Sequence, residues 1–182
     1  HAAGRQTERG DRDQTGRRLP GGSAVTGETI FSPCRVYRYT LWREWIGGNG
    51  YAMFIGLNPS TADESKDDPT IRRCISSAKV WGYAGLCMTN LFAYRATKPA
   101  DMRTAQEPIG PENDSYLLSV AKSAGVIVAA WGTNGTYQKR DQVVKSMLPE
   151  LRCLRLTKAG HPEHPLYLPN GLTPIPFMEP IS

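Results

Sequence analysis

Ala52-Met53-Phe54-Ile55-Gly56-Leu57-Asn58-Pro59-Ser60-Thr61-Ala62-Asp63 decides the reading of this chain. Its first four residues form a continuous apolar run, the pattern of a strand buried on both faces in the middle of a sheet. The rest is polar and turn-forming, with Pro59 fixing a backbone angle. The same arrangement returns near the other end of the chain. There Cys153-Leu154-Arg155-Leu156 leads into Gly160-His161-Pro162-Glu163-His164-Pro165-Leu166-Tyr167-Leu168. In open α/β sheets, ligands bind just beyond the strand ends. Two such loops facing each other predict a cleft assembled from distant segments.

Between and around these loops, strand and helix patterns alternate. Val36 to Trp42 is aromatic and β-branched, which predicts a strand. Gly47-Gly48-Asn49-Gly50 is a turn, and joining that strand to Tyr51–Leu57 predicts a hairpin. Asp68-Pro69-Thr70 opens a helix, with Asp68 as N-cap and Pro69 in the first turn. Ile71, Cys74, Ile75, Ala78 and Trp81 then recur at helical spacing, and Gly82 stops the helix. Leu86–Phe92 is a strand. Gly110-Pro111 starts a second helix carrying Leu117, Leu118, Val120, Ala121 and Ala124. Val126–Trp131 is a strand. Tyr137–Leu148 is a third helix with Val143, Val144, Met147 and Leu148 inward, and Cys153–Leu156 is the last strand. The resulting βαβαβαβ order predicts an α/β fold. Its mostly parallel central sheet has helices on both faces, as a three-layer αβα sandwich.

Residues 1–30 are rich in Gly, Arg, Asp, Gln and Thr and nearly lack large apolar groups. Such a segment cannot bury enough surface to fold alone and is expected to be disordered. Residues 31–182 are the expected size of a single domain. Pro169–Ser182 is Pro-rich and is expected to wrap the surface.

The net charge of +5 and pI near 9.1 lean toward a polyanionic partner such as nucleic acid, although a merely soluble basic protein has the same balance. No apolar stretch approaches the ~20 residues of a membrane span. The N-terminus lacks the apolar core of a signal peptide. A cytoplasmic location with no membrane contact and no protein partner is therefore expected. Cys34, Cys74, Cys87 and Cys153 contain no CxxC pair. Free thiols in a reducing compartment fit them better than a metal cluster.

Parallel strands would bring Asn58, Asn90 and His164 to one sheet edge, beside the loop Trp131-Gly132-Thr133-Asn134-Gly135. The chain has no GxSxG, P-loop or HExxH pattern. His161 and His164 lack a third metal ligand close in sequence, so no metal is expected. Each polar residue also has a plain structural use. Asn58 suits the cap of the turn before Pro59. Asn90 suits a strand end needing backbone partners. His164 suits a brace for its own loop.

Four segments together resemble the uracil-DNA glycosylase superfamily. Gly56-Leu57-Asn58-Pro59 resembles the Gly-x-Asn-Pro turn of its mismatch-specific branch. Met88-Thr89-Asn90-Leu91 followed by Arg95 resembles the strand whose Asn reads the flipped base. Ala129-Ala130-Trp131-Gly132 resembles a strand end, and His164-Pro165-Leu166-Tyr167-Leu168 its His-Pro-x-x-Leu motif. The stretches LNPSTAD, DDPTIRRC, NLFAYRAT and GHPEHPLYL are also similar to a bacterial and phage family of unassigned function.

The glycosylase resemblance implies a uracil-glycosylase-like fold. It also implies a monofunctional DNA glycosylase that acts on a base flipped from a duplex or a single strand and needs no cofactor. His164 would stabilise the departing base. Asn58 would place water, with Asp63 as the fallback base. Asn90, Ser60 and His161 would contact the base, and Phe92 or Tyr94 would stack on it. Arg72, Arg73 and Arg95 would hold phosphates. Arg72 and Arg73 equally suit a solvated helix face, and Phe92 the core. No lysine is clearly placed for a Schiff base, so no lyase activity is expected.

The chain departs from the best-known branch, which carries Gly-Gln-Asp-Pro-Tyr. Asn replaces the Asp, and Ser60 stands near the place of the Tyr that excludes thymine's methyl group. The extra room favours a bulkier pyrimidine, such as the glucosylated hydroxymethylcytosine of phage DNA, and hence a role in antiviral defence. Two alternatives remain open. One is a hydrolase or transferase acting on free nucleosides or nucleotides. The other is a non-catalytic module that senses modified bases.

Overall fold

Side chains alternate along the central strand. Ala52 and Phe54 join one apolar cluster, while Met53 and Ile55 join another on the opposite face. A strand rotates successive side chains by half a turn, so an unbroken apolar run needs cover on both sides. The computed structural model describes residues 27–60 and 65–177. Seven strands form one sheet: β1 (Thr29–Phe31), β2 (Arg38–Glu44), β3 (Tyr51–Gly56), β4 (Gly85–Asn90), β5 (Val126–Ala129), β6 (Arg152–Cys153) and β7 (Ile175–Pro176). Their spatial order is β1-β2-β4-β3-β5-β6-β7. Strands β4, β3, β5 and β6 are parallel. Strands β1 and β2 at one edge and β7 at the other are antiparallel to their neighbours.

Four α-helices are present among the described residues: α1 (Pro69–Val80), α2 (Pro99–Thr104), α3 (Asn113–Ala121) and α4 (Arg140–Met147). Helix α1 covers one face through Ile71, Cys74, Ile75 and Ala78. Helices α2, α3 and α4 bring Met102, Leu117, Val120 and Val144 to the other face. The fold is therefore mixed α/β, with a sheet sandwiched between apolar layers. No described helix is long and apolar enough to cross a membrane.

Helix α1 begins as its sequence predicts. Asp68 accepts a 2.8 Å hydrogen bond from the Ile71 N–H, and Pro69 follows at the first helical position. Gly82 leaves the helix at φ +86°.

The hairpin does not form. Strand β4 lies between β2 and β3, with Met88 opposite both Leu41 and Phe54. The Gly47–Gly50 turn instead docks on the end of α1. Asn49 N donates to Gly82 O, and Ala84 N donates to Gly50 O, both at 3.0 Å. All six residues of β4 are buried, so this strand takes a position with partners on both sides.

Other differences are local. Helix α2 has only six residues and one buried side chain, Met102, too short for a periodic signal. Helix α3 starts at Asn113, just beyond Gly110 at φ +92°. The expected third helix starts at Arg140 instead of Tyr137, because Gln138 and Lys139 both take φ +53°. Val144 and Leu148 are buried as expected, but Val143 faces solvent. Strand β6 ends at Cys153, and Leu156 instead bridges to Pro162.

The Pro-rich C-terminal stretch contributes β7, whose Pro176 is tolerated at a sheet edge. Strand β1 adds Thr29 and Ile30 to the sheet from within the segment expected to be unstructured. The disorder expected for residues 1–26 and the course of residues 178–182 lie outside the described residues.

Candidate functional site

Parallel strands that end in register place their following loops side by side. Gly56 pairs with Asn90, and Ile55 with Ala129. Asn58, Asn90 and Trp131 therefore emerge at one edge. His164 arrives by a different route, a return loop closed by the Leu156–Pro162 bridge. Thr157 N donates to His161 O at 2.8 Å, and Glu163 N donates to Arg155 O at 2.9 Å. A cavity of about 530 Å³ lies where these segments meet. That volume is within the usual range for small-molecule sites, about 300–1,000 Å³.

Asn58, Ser60, Asn90 and His164 all line this cavity. Asn58 Nδ2 donates to Ala96 O at 2.8 Å and to Pro59 O at 3.1 Å. Both amide hydrogens are thus used, and Oδ1 is left as an acceptor. His164 Nδ1 accepts from Leu166 N at 3.2 Å. A ring nitrogen that accepts carries no proton, so the neutral ring bears its proton on Nε2. Burial pushes the His164 pKa down, with the charge of Asp68 pulling it the other way.

Asn90 is buried at 3% exposure, and its Nδ2 has no hydrogen-bond partner among the described residues. Its Oδ1 passes directly over Gly56, where a Cβ would come within 2.8 Å of it. Glycine at position 56 is therefore what admits the Asn90 side chain. Behind Asn90 the strand end is clamped. Asn113 Nδ2 donates to Asn90 O at 2.9 Å and to Leu91 O at 3.1 Å. Arg140 Nε donates to Leu91 O at 2.9 Å, and its Nη2 pairs with Asp114.

Several expected site residues are not brought into the cavity. Phe92 is fully buried against Tyr137 in the core and cannot stack on a ligand there. Tyr94 packs edge-to-face on Tyr37, away from the lining. His161 lies in the return loop, its N–H bonded to Thr157 Oγ1, and does not line the cavity. Arg72 turns back to the Asp67 carbonyl, and Arg73 to Asn170. Arg95 donates to Arg35 O at 3.0 Å. Its guanidinium and that of Arg35 both lie over the Phe31 ring, at 4.7 and 4.1 Å. Asp63 lies outside the described residues.

Arg38, Asp68, Trp131 and Tyr167 are among the lining residues that the sequence analysis did not mark as site groups. Asp68 was legible only as a helix cap and Trp131 only as a strand end. Tyr167 is 82% exposed at the cavity mouth, beside the His164 ring at 5.7 Å. The sequence signal for Arg38 was a charge set between Tyr37 and Tyr39 in an aromatic stretch.

Comparison with curated proteins and with solved structures found no match. Nothing in the comparisons ties the chain to the uracil-DNA glycosylase superfamily. A family match does cover residues 38–166, a span that includes Asn58, Asn90 and His164, and by that match the chain belongs to the DUF1643 family, described as proteins of unknown function.

Proposed function

We propose that this protein hydrolyses the N-glycosidic bond of a nucleobase in DNA, with a modified pyrimidine as the favoured base and antiviral defence as the role. One observation carries the reading. A neutral His164 with its proton on Nε2 shares a cavity with an Asn58 whose Oδ1 is left to accept. Glycoside cleavage needs this combination. As the C1′–N bond breaks, its electron pair leaves with the base, and a donor must meet the growing charge. One such donor is typically worth about 3 kcal/mol. On the sugar side, water must be held for attack at C1′, and an amide oxygen orients it without taking its proton. The new C1′–O bond forms, and the water's proton passes to the base or to solvent. Asn90 supplies polar atoms for the base edge. Ser60 leaves room beside the ring, consistent with a bulky 5-substituent.

Exposed Leu166 and Tyr167 at the mouth favour DNA as the source of the base. Apolar and aromatic groups beside a pocket can support the stack from which a base has been turned out. A second reading, hydrolysis of free nucleotides, has its own support. Arg72, Arg73 and Arg95 do not line the cavity, whereas the buried Arg38 does.

The test is a panel of DNAs carrying uracil, hypoxanthine, cytosine or glucosylated hydroxymethylcytosine, assayed for abasic sites by alkaline cleavage. The expected result is cleavage at the modified pyrimidine, lost in Asn58→Ala and His164→Ala. Folded protein that cleaves none of these DNAs would overturn the DNA reading. Release of base from free nucleotides would then select the second one.

A further inference from the structure

Arg38 is the only Lys or Arg among the described residues lining the cavity. It is 6% exposed, and its Nε has no partner among the described residues. No described residue hydrogen-bonds its guanidinium. Its backbone is held normally, with N donating to Ala93 O at 2.9 Å, so the strand itself does not need this side chain. Burying an unpaired cation opposes folding strongly. Burial pushes the Arg38 pKa down to about 10. The neighbouring Arg95 and Arg43 charges act in the same direction, and only Asp68 opposes them. A side chain kept under such conditions points to a ligand that compensates it.

Two further observations give the chemistry of that ligand. Asn90 Nδ2, in a residue lining the same cavity, is also a buried donor without a partner among the described residues, whereas the Trp131 indole packs over Gly135 and against Phe177 in the core cluster on the face opposite α1. Tyr39 Oη, Thr40 Oγ1, Arg95 Nε and Asn113 Oδ1 are also buried without partners among the described residues, but none of these residues lines the cavity. The cavity wall therefore presents unmet donors and a positive charge. Asp68 is the acidic residue of the lining, and its carboxylate is tied to the N-terminus of α1 through Ile71 N. The complement of this wall is an anionic group rich in acceptors.

We propose that Arg38, with Asn90 on the neighbouring strand, is an oxyanion subsite that takes a phosphate group of the substrate. The choice of phosphate rests on the nucleotide reading above. The presence of an anion subsite does not. A guanidinium reaches a phosphate through paired N–H donors, which a lysine cannot reproduce.

The test uses the full chain, with calorimetric binding and thermal unfolding. The probes are inorganic phosphate, deoxycytidine, deoxycytidine 5′-monophosphate and a short single-stranded oligonucleotide. In the unaltered protein, a phosphate-bearing probe should bind at least about tenfold more tightly than the nucleoside. That advantage should vanish in Arg38→Met and fall sharply in Arg38→Lys. Without ligand, Arg38→Met should melt no lower than the unaltered protein, because an unpaired buried charge has been removed. An advantage confined to the monophosphate identifies free nucleotide as the source, and one confined to the oligonucleotide identifies the DNA backbone. Equal binding of nucleoside and phosphate-bearing probes overturns the subsite, as does an advantage that survives Arg38→Met. A variant that melts far lower or fails to fold also overturns it, because Arg38 would then be a structural group. Arg38-dependent phosphate binding with no base released from any substrate would leave the subsite standing and remove the glycosidase reading alone.

Discussion

Replacing Gly56 with alanine should injure the site while leaving the fold intact. A Cβ at this position would lie 2.8 Å from Asn90 Oδ1, and the next atoms, Thr89 O and Asn90 Cγ, are 3.8 and 3.9 Å away. A single atom at the tip of one side chain must therefore retreat, by about half an ångström, to reach ordinary contact. Gly56 is not among the glycines with positive φ, so alanine fits the backbone. Restricting the unfolded chain contributes about 0.4–1 kcal/mol of stability. Pushing Asn90 off its rotamer costs about 0.5–1.5 kcal/mol. These terms nearly cancel, and the melting temperature should move by only a few degrees. The site is far less tolerant. A displacement of about 1 Å in a reacting complex costs on the order of 100-fold in rate, so half that shift predicts roughly a tenfold loss. Single-turnover base release, measured beside thermal unfolding, reads both effects. An unchanged rate at an unchanged melting temperature would remove Asn90 from the site. A melting temperature lowered by tens of degrees would show that Gly56 serves the fold.

Asn113→Leu should destabilise the protein by about 2 kcal/mol or more in urea unfolding. It leaves the buried Asn90 and Leu91 carbonyls without their shared amide donor, although Arg140 still reaches Leu91 O. His164 yields a pH dependence of defined sign. Its folded pKa lies below the ordinary imidazole value, so the folded state binds fewer protons than the unfolded chain. Its contribution to stability is complete above about pH 6.5 and is lost as pH falls through the lowered folded value. Thermal unfolding from pH 8 to 5 should therefore weaken the unaltered protein more than His164→Gln. Cys34 is exposed, whereas Cys74, Cys87 and Cys153 are buried. Burial raises the pKa of all three, that of Cys153 to about 11. A thiol reagent should label one cysteine rapidly in the native protein and all four after denaturation. More than one rapid label would contradict the packing of α1 or of the sheet.

Much of the layout was legible because it is locally encoded. The Asp68-Pro69 start, the Ile71/Cys74/Ile75/Ala78 stripe and the Gly82 stop each act over a few residues, and α1 follows them. The apolar runs at β3, β4 and β5 identified central strands because each must be covered on both faces. Parallel pairing of those strands then put Asn58 and Asn90 at a common edge, and the His164 loop was identified by the same turn chemistry.

Strand order was not local. The Gly47–Gly50 turn was compatible with a hairpin, and only competition for the most buried position placed β4 between β2 and β3. The roles of single side chains also depended on what packs against them. Phe92 and Tyr94 read as stacking groups, yet a strand end close to the core has one side facing inward, and Phe92 occupies it. Arg72, Arg73 and Arg95 read as phosphate ligands, but Arg72 donates to a carbonyl, Arg73 to an amide oxygen, and Arg95 to a carbonyl with its guanidinium over an aromatic ring. Arg38 read as an ordinary strand residue, and it became a cavity wall because β2 lies beside β4. By itself the sequence determined which segments are strands, where α1 begins and ends, and which loops are polar, because propensity, capping and burial period act over a few neighbouring residues. Only the tertiary structure decided which charges are buried, which donors lack partners and which of the marked residues share a cavity, because those properties belong to atoms brought together from distant parts of the chain.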